Sequence, residues 1–334
     1  MRLLQQQRFA ASFREAVTLV DEALPAPGPG ELRVRHHWCG VNGVFDTQIA
    51  RNAVDYVTVR LPTGTGVEAL GVVDAVGAGV QGWREGDAAL SLRFGRGYRT
   101  TQVAAAADFI PVPALNRDWL ALASTGVSAW LALHHVGELR EGETVAVSAA
   151  AGGLGHFLVQ LAKLRGARVF AVCGGPDKAA FVKRLGADRA IDHRREDVAA
   201  VLAAECPRGV DVAIDTVSGA VFDAFLEHIA PHGRLVVAGA AADLDGKPEI
   251  VTGPRIAHRI YYKGASVRGF MNGLLTAHWP AAREAMFALY AEGRLRVHFD
   301  DRVFRGLAEV PDAVEHLLSG RSMGKVVADL RDEA

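Results

Sequence analysis

The sequence predicts an α/β protein in two parts: a doubly wound parallel sheet, and a β-rich domain that the chain leaves and later re-enters. Three observations predict it. Six short apolar strands, "TVAVSAA", "ARVFAVC", "DRAID", "VDVAIDT", "RLVVAG" and "ASVRGF", alternate with helical stretches, the spacing of parallel strands joined by right-handed crossovers. The first of them stops at a run of small residues, and a helix starts at once. Before about residue 118 the pattern differs: "GELRVRHHWCGVN" follows the turn residues "PAPGPG", and "LGVVDAVGAGVQGWREGDAAL" reads strand, glycine turn, strand. Short strands separated by Gly and Pro indicate a small barrel or sandwich.

Taken in order, "YRTTQVAAAADFIPVP" repeats the strand-and-turn theme, and "ALASTGVSAWLALHHVG" reads as helix. Between the strands of the parallel sheet, helices are expected over Leu154–Leu164, Asp177–Leu185 and Ala220–Ile229. After Asn272 a helix, "AHWPAAREAMFALYAEG", and a strand, "GKVVADL", are read as completing the first domain. The expected boundaries are therefore 1–118 with 274–334 for the β-rich domain, and 119–273 for the parallel sheet.

A chain of 334 residues, 50% hydrophobic and 22% charged, is long enough for two sizeable cores. With 37 basic against 38 acidic residues, it has no global attraction to nucleic acid or an anionic membrane. Cys39, Cys173 and Cys206 are odd in number and far apart, which fits a reducing compartment better than a disulfide framework. "MRLLQQQRFA" is too polar for a signal peptide, and no apolar run approaches the roughly 20 residues of a membrane helix. The expectation is a cytoplasmic protein.

The loop at the first strand reads Ala150-Ala151-Gly152-Gly153-Leu154-Gly155. On the dinucleotide pattern G-x-G-x-x-G, Gly152 and Gly155 match the second and third glycines, and Ala150 takes the first place with a less extreme turn. Gly152 lets backbone approach a pyrophosphate, Gly155 lets the helix pack on the strand, and the amides at the helix start favour an anion. The second strand ends Cys173-Gly174-Gly175, without the acid that an NAD site places on the ribose hydroxyls. Its absence admits a 2′-phosphate, Lys178 lies within reach of one, and the reading favours NADPH.

No metal is expected. His37 and Cys39 face one side of a strand and His36 the other, and neither these nor His134 and His135 have the partners of a zinc site.

Beyond these readings, the chain resembles the medium-chain dehydrogenase/reductase superfamily, in its zinc-free quinone oxidoreductase and alkenal/one reductase branch. The stretches that carry the resemblance are "GVNGVFD" (40–46), "GVEALGVVDAVG" (66–77), "STGVSAWLAL" (124–133), "AAAGGLGHFLVQLAK" (149–163), "KRLGADRAIDH" (183–193), "GVDVAIDTVSG" (209–219), "GRLVVAG" (233–239) and "GKVV" (324–327). "ASVRGFMN" (265–272) is most similar to the prostaglandin reductase 3 group. Zinc-dependent relatives carry Gly-His-Glu where this chain has Gly66-Val67-Glu68.

The resemblance implies a GroES-like catalytic domain, split in sequence, around a Rossmann domain that binds NADPH. It also implies a homodimer formed through an edge strand. Leu154, Gly174 and Lys178 would hold cofactor phosphates, with His193 beside the adenosine phosphate. Thr216, Val217, Ala238 and Gly239 would lie along the cofactor; Phe270, Met271 and Asn272 would meet its nicotinamide end, and Ser322 would also touch it. Asn42 would stand near the nicotinamide. The family spaces that Asn three residues before Asp; here Asp46 is four away, which predicts an insertion or bulge.

The implied reaction is hydride transfer to an electron-poor C=C or a quinone, with a small electrophilic molecule as the partner. Tyr56 falls where some relatives place an active-site tyrosine, and Tyr261 and Tyr262 are further hydroxyl candidates. Three alternatives to an enone reductase stay open: a quinone oxidoreductase, an enoyl-thioester reductase with Arg93, Arg96 and Arg99 at the pocket mouth, and a non-enzymatic NADPH-binding protein.

Overall fold

The computed structural model describes residues 1–54, 56–243 and 250–333. The chain packs as two units: Met1–Ser124 with the segment from Phe299 onward, and Thr125–His298.

In the first unit the ten-residue strand Glu31–Gly40 organises the larger sheet. It pairs antiparallel with Ala69–Val76, Thr101–Ala105 and Val327–Asp329. The last pairing, Val327 opposite Gly40 and Ala328 opposite Cys39, brings the end of the chain back against its beginning. Leu4, Phe13, Tyr98, Phe304, Leu307 and Leu330 fill the core beneath. The alternation expected around His37 is interrupted, because the register shifts between His36 and Trp38. His36 and Trp38 are buried on one side of the less buried His37, and Cys39 is buried as well. His36 Nδ1 lies 2.9 Å from the Arg99 carbonyl, and burial drives its pKa down to about 3.

The second unit is a six-stranded parallel sheet: Thr144–Val147, Arg168–Cys173, Arg189–Asp192, Val210–Asp215, Ile229–Val237 and Ser266–Gly269. Counted along the chain, they stand in spatial order 3-2-1-4-5-6, the doubly wound dinucleotide-binding order. All six strands read from the sequence are present. The helices run Gly155–Leu164, Pro176–Arg184 and Gly219–Glu227. A further helix, Val198–Glu205, escaped the sequence reading. The helix expected in the β-rich domain, observed as Trp279–Ala291, belongs instead to this unit. Its Ala282 packs with Val127 and Leu131, and Trp279 packs against that cluster. The apolar face of that helix, not its position in sequence, decides its place.

One buried cation ties the amino-terminal ends of the strands together. Arg234 Nη1 and Nη2 donate to the two carboxylate oxygens of Glu143 (2.9 and 2.7 Å), and Nε donates to the Gly137 carbonyl at 3.0 Å. Removing one member of a buried pair strands the other. Arg234→Ala should therefore lower the unfolding free energy by about 3–5 kcal/mol, read from denaturant titration. A loss below about 1 kcal/mol would assign the pair no structural weight.

Candidate active site

Parallel strands all finish at one edge of their sheet, and ligands of such sheets bind outside that carboxyl edge. The loop 148–155 follows the first strand, Gly174–Lys178 the second and His193 the third. Thr216 and Val217 follow the fourth, Ala238 and Gly239 the fifth, and Phe270–Asn272 the sixth. Every residue of the second unit that the sequence nominates for the cofactor thus lies along this one edge.

The edge is held in register by a carboxylate. Ser148 Oγ donates to Asp215 Oδ1 at 2.7 Å, and the Val217 and Ser218 amides donate to the same carboxylate at 3.0 and 2.9 Å. The Thr216 amide donates to Ser148 Oγ at 2.8 Å. Asp215 is fully buried, so it fixes where the first and fourth strands release their chains.

Within the loop, the amides of Gly153, Leu154 and Gly155 lie ahead of the first intrahelical bonds of the ten-residue helix they open, His156 N–H to the Gly152 carbonyl and Phe157 N–H to the Leu154 carbonyl. This is the donor set an anion needs. A Cβ on Gly155 would stand 2.3 Å from the Ala149 carbonyl, so only glycine lets helix and loop approach. Two expectations change. Ala150 cannot meet a ligand: it is fully buried and its amide is bonded to the Val172 carbonyl at 2.9 Å. The left-handed residue of the turn is Ala149, at φ 44°.

The sequence reading missed His156. Its Nδ1 lies 3.0 Å from the Gly152 carbonyl, and the His298 amide donates to its Nε2 at 3.4 Å. A carbonyl only accepts and an amide only donates, so the imidazole carries its proton on Nδ1. It holds the Gly152 carbonyl on the helix side of the loop.

At the second strand tip, Gly175 (φ 94°) starts the next helix. Asp192 Oδ1 accepts from the Gly175 amide at 2.7 Å and the Arg194 amide at 3.1 Å. These amides, first that of Gly175, hold its carboxyl below the usual carboxylate range. A Cβ on Gly174 would lie 3.0 Å from both Arg194 Nε and His193 Nε2. Gly174 therefore floors a cradle walled by an imidazole and a guanidinium, with Lys178 in the first turn of the adjoining helix. Arg194 looks in sequence like one arginine of a solvated "HRRED" run; its place beside Gly174 is visible only in the fold.

Asn272 is engaged internally. Its Nδ2 donates to Ser128 Oγ at 3.0 Å and its Oδ1 accepts from Trp279 Nε1 at 2.8 Å. These two bonds pin the segment Phe270–Asn272 and leave one Nδ2 N–H of Asn272.

The first unit holds the remaining candidates. Tyr56 is 53% exposed in an irregular segment, and Ser322 is buried shortly before Lys325. Of the three hairpin arginines, Arg99 is buried with its guanidinium on the Gly95 carbonyl, Arg93 pairs with Asp108, and Arg96 is exposed. In the second unit, Tyr261 and Tyr262 are each 78% exposed.

The bulge expected between Asn42 and Asp46 is absent. Asn42 precedes the helix Gly43–Ala50, and the Asp46 amide donates to the Asn42 carbonyl at 2.9 Å in an ordinary helical bond. Four-residue spacing puts Asp46 one turn on, where its Oδ2 accepts from the Asn42 amide (3.2 Å) and from the Tyr98 hydroxyl (2.5 Å). The Asn42 side chain lies between Glu68 and Lys325. Among the described residues no group of three or more His, Cys, Asp or Glu side chains is placed to hold a metal ion, and no helix is long and apolar enough to cross a membrane.

Burial raises the Asp46 pKa from 3.8 to about 7. The folded protein then holds a proton that the unfolded chain has lost between about pH 4 and 7, so Asp46 subtracts stability progressively as pH rises through that window. Relative to Asp46→Asn, the wild type should lose thermal stability from pH 4 to 7 and then level off. A stability difference that does not change across that window contradicts the burial argument.

Two family models match the chain: Alcohol dehydrogenase GroES-like domain over residues 28–111 and Zinc-binding dehydrogenase over 153–288. The sequence is 35% identical to Prostaglandin reductase-3 of Mus musculus over 340 residues, covering 99% of this chain and 89% of that protein. It is 32% identical to a Probable quinone oxidoreductase of Leishmania amazonensis, covering 98% and 97% of the two chains. The fold is similar to that of the Escherichia coli quinone oxidoreductase complexed with NADPH, with TM-score 0.84 and 25% identity over 99% of this chain and 100% of that one. Fold, loop and sequence together place the chain in the medium-chain dehydrogenase/reductase superfamily, in its quinone oxidoreductase and alkenal/one reductase branch.

Proposed function

We propose that this protein is an NADPH-dependent, zinc-independent oxidoreductase that reduces the C=C of α,β-unsaturated carbonyl compounds. The observation that carries the cofactor is the Gly174 cradle. Where an NAD site sets an acid, this chain sets glycine, with His193, Arg194 and Lys178 around it. Of the nearby acids, Asp192 is already bonded to two amides, while Asp177 stands beside Lys178 in the first turn of the helix and counts against the reading. A 2′-phosphate fits that charge arrangement, and the amides of Gly153, Leu154 and Gly155 fit a pyrophosphate.

NADPH, when bound, supplies the hydride. The protein supplies binding and charge stabilisation. Thr216, Val217, Ala238 and Gly239 lie along the carboxyl edge between the phosphate loop and Phe270–Met271; Ser322, in the first unit, is carried over from the family resemblance as a further cofactor contact. As an enone accepts hydride at its β-carbon, negative charge grows on the carbonyl oxygen, and amide donors such as the Asn42 Nδ2–H stabilise it. The α-carbon takes its proton from the Tyr56 hydroxyl or from water; unchanged turnover in Tyr56→Phe assigns it to water.

Zinc independence is supported by the donor set. Val67 replaces a ligating histidine, and the Glu68 carboxylate is already paired with the Lys325 ammonium. Stoichiometric zinc that chelation removes along with activity would refute it. The quinone reading keeps its place because the relative matching nearly end to end is named for it. A homodimer is proposed through the edge strand Ser266–Gly269, flanked by the exposed Tyr261, Tyr262 and Leu274. A cytoplasmic setting is supported by three free, buried cysteines.

The test is NADPH oxidation against enones, enals, quinones and enoyl thioesters, with Arg194→Ala beside the wild type. Enones should turn over fastest. Arg194→Ala should weaken NADPH binding about tenfold or more, the loss of a charge-assisted hydrogen bond, and leave NADH binding unchanged. Equal effects on both cofactors would remove Arg194 from the phosphate site, and preference for a quinone would move the substrate assignment.

A further inference from the structure

The Lys325 ammonium is almost completely enclosed, as is the Glu68 carboxylate, each side chain being 2% exposed. Its three N–H bonds have three acceptors: Glu68 Oε1 at 2.5 Å, the Val41 carbonyl at 3.0 Å and Asn42 Oδ1 at 3.0 Å. Glu68 Oε1 also accepts from Asn42 Nδ2 at 3.1 Å. Both ends of the Asn42 amide are therefore fixed by opposite charges. The carboxylate takes only an N–H and the ammonium gives only to an oxygen, so the amide has a single orientation. One N–H remains on Asn42, which is half-buried. The backbone is cut to admit this arrangement: a Cβ on Gly40 would stand 2.0 Å from Glu68 Oε1.

We propose that Glu68 and Lys325 are positioning residues: a buried ion pair that clamps the Asn42 side-chain amide in one orientation, so that its remaining N–H is presented as a preset donor to the reacting carbonyl or carboxamide oxygen. Lys325 has no N–H to give a substrate, because all three are engaged, and it acts through Asn42. The inference rests on the reading of Asn42 as a site residue. A donor held this way needs no reorientation as charge develops, the condition under which hydrogen bonds contribute most to a transition state.

The experiment compares Asn42→Ala, Lys325→Met and the charge-neutral double variant Glu68→Gln/Lys325→Met, which folds without a stranded buried charge. Two readouts are taken. One is the Asn42 side-chain amide pair in a ¹⁵N–¹H correlation spectrum of the protein without cofactor; the other is kcat and KM for NADPH. The clamp predicts a dispersed, exchange-protected Asn42 amide pair that moves toward free-amide positions in the double variant. It also predicts a kcat loss of about a hundredfold in both Asn42→Ala and the double variant, with KM for NADPH within about threefold of wild type. Adding Asn42→Ala to the double variant should cause no further loss. An Asn42 amide signal unmoved by the double variant overturns the clamp, whatever the kinetics. A moved signal with unchanged kcat in Asn42→Ala overturns the site reading of Asn42 and, with it, the catalytic purpose of the clamp.

Discussion

Backbone amides can hold a phosphate only where the fold leaves them without internal acceptors, and buried amides without acceptors are costly everywhere else. The parallel sheet meets this constraint at a single edge. Its strands all end there, and the helix after the first strand begins there with amides that lie ahead of its intrahelical bonds. The rest of the second unit secures that edge. Asp215 fixes where two strands release their chains, His156 turns the Gly152 carbonyl toward the helix, and Arg234 with Glu143 closes the opposite end. None of these side chains has to touch a ligand; each determines where the amides point.

The first unit manages charge differently. Glu68, Lys325 and Asp46 are all nearly inaccessible to solvent, an expensive set of groups to bury. Lys325 meets three oxygens, and Asp46 receives a hydroxyl and an amide. These ion and hydrogen-bond pairs converge on Asn42 from both its backbone and its side chain. A cluster of this kind is weak support for stability and strong support for a fixed geometry.

Legibility in the sequence followed the range of the interaction. The phosphate loop, its helix and the six strands were readable because glycine placement and apolar runs encode them within a few residues. The absence of an acid after the second strand was readable for the same reason. Contacts between distant residues were not. Nothing near His156 announces His298, nothing near Glu68 announces Lys325, and Arg194 stands in an ordinary charged run until the third strand brings it to Gly174. The helix Val198–Glu205 was missed because "VAAVLAAE" is apolar on nearly every face and gives no stripe to detect. The spacing of Asn42 and Asp46 suggested a bulge; a helix start absorbs four residues as one turn, and only the backbone course reveals that choice. The helix Trp279–Ala291 was assigned by its place in the chain, whereas its packing against Val127 and Leu131 governs where it sits.

On the reading proposed above, the carboxyl edge of the parallel sheet carries NADPH, with its 2′-phosphate in the Gly174 cradle. A crystal structure of the NADPH complex tests it most directly. The expected complex has pyrophosphate oxygens within hydrogen-bond distance of the Gly153–Gly155 amides, and 2′-phosphate oxygens within reach of His193 and Arg194. A dinucleotide bound away from the loop, or an adenosine phosphate with no contact to the cradle, would contradict it.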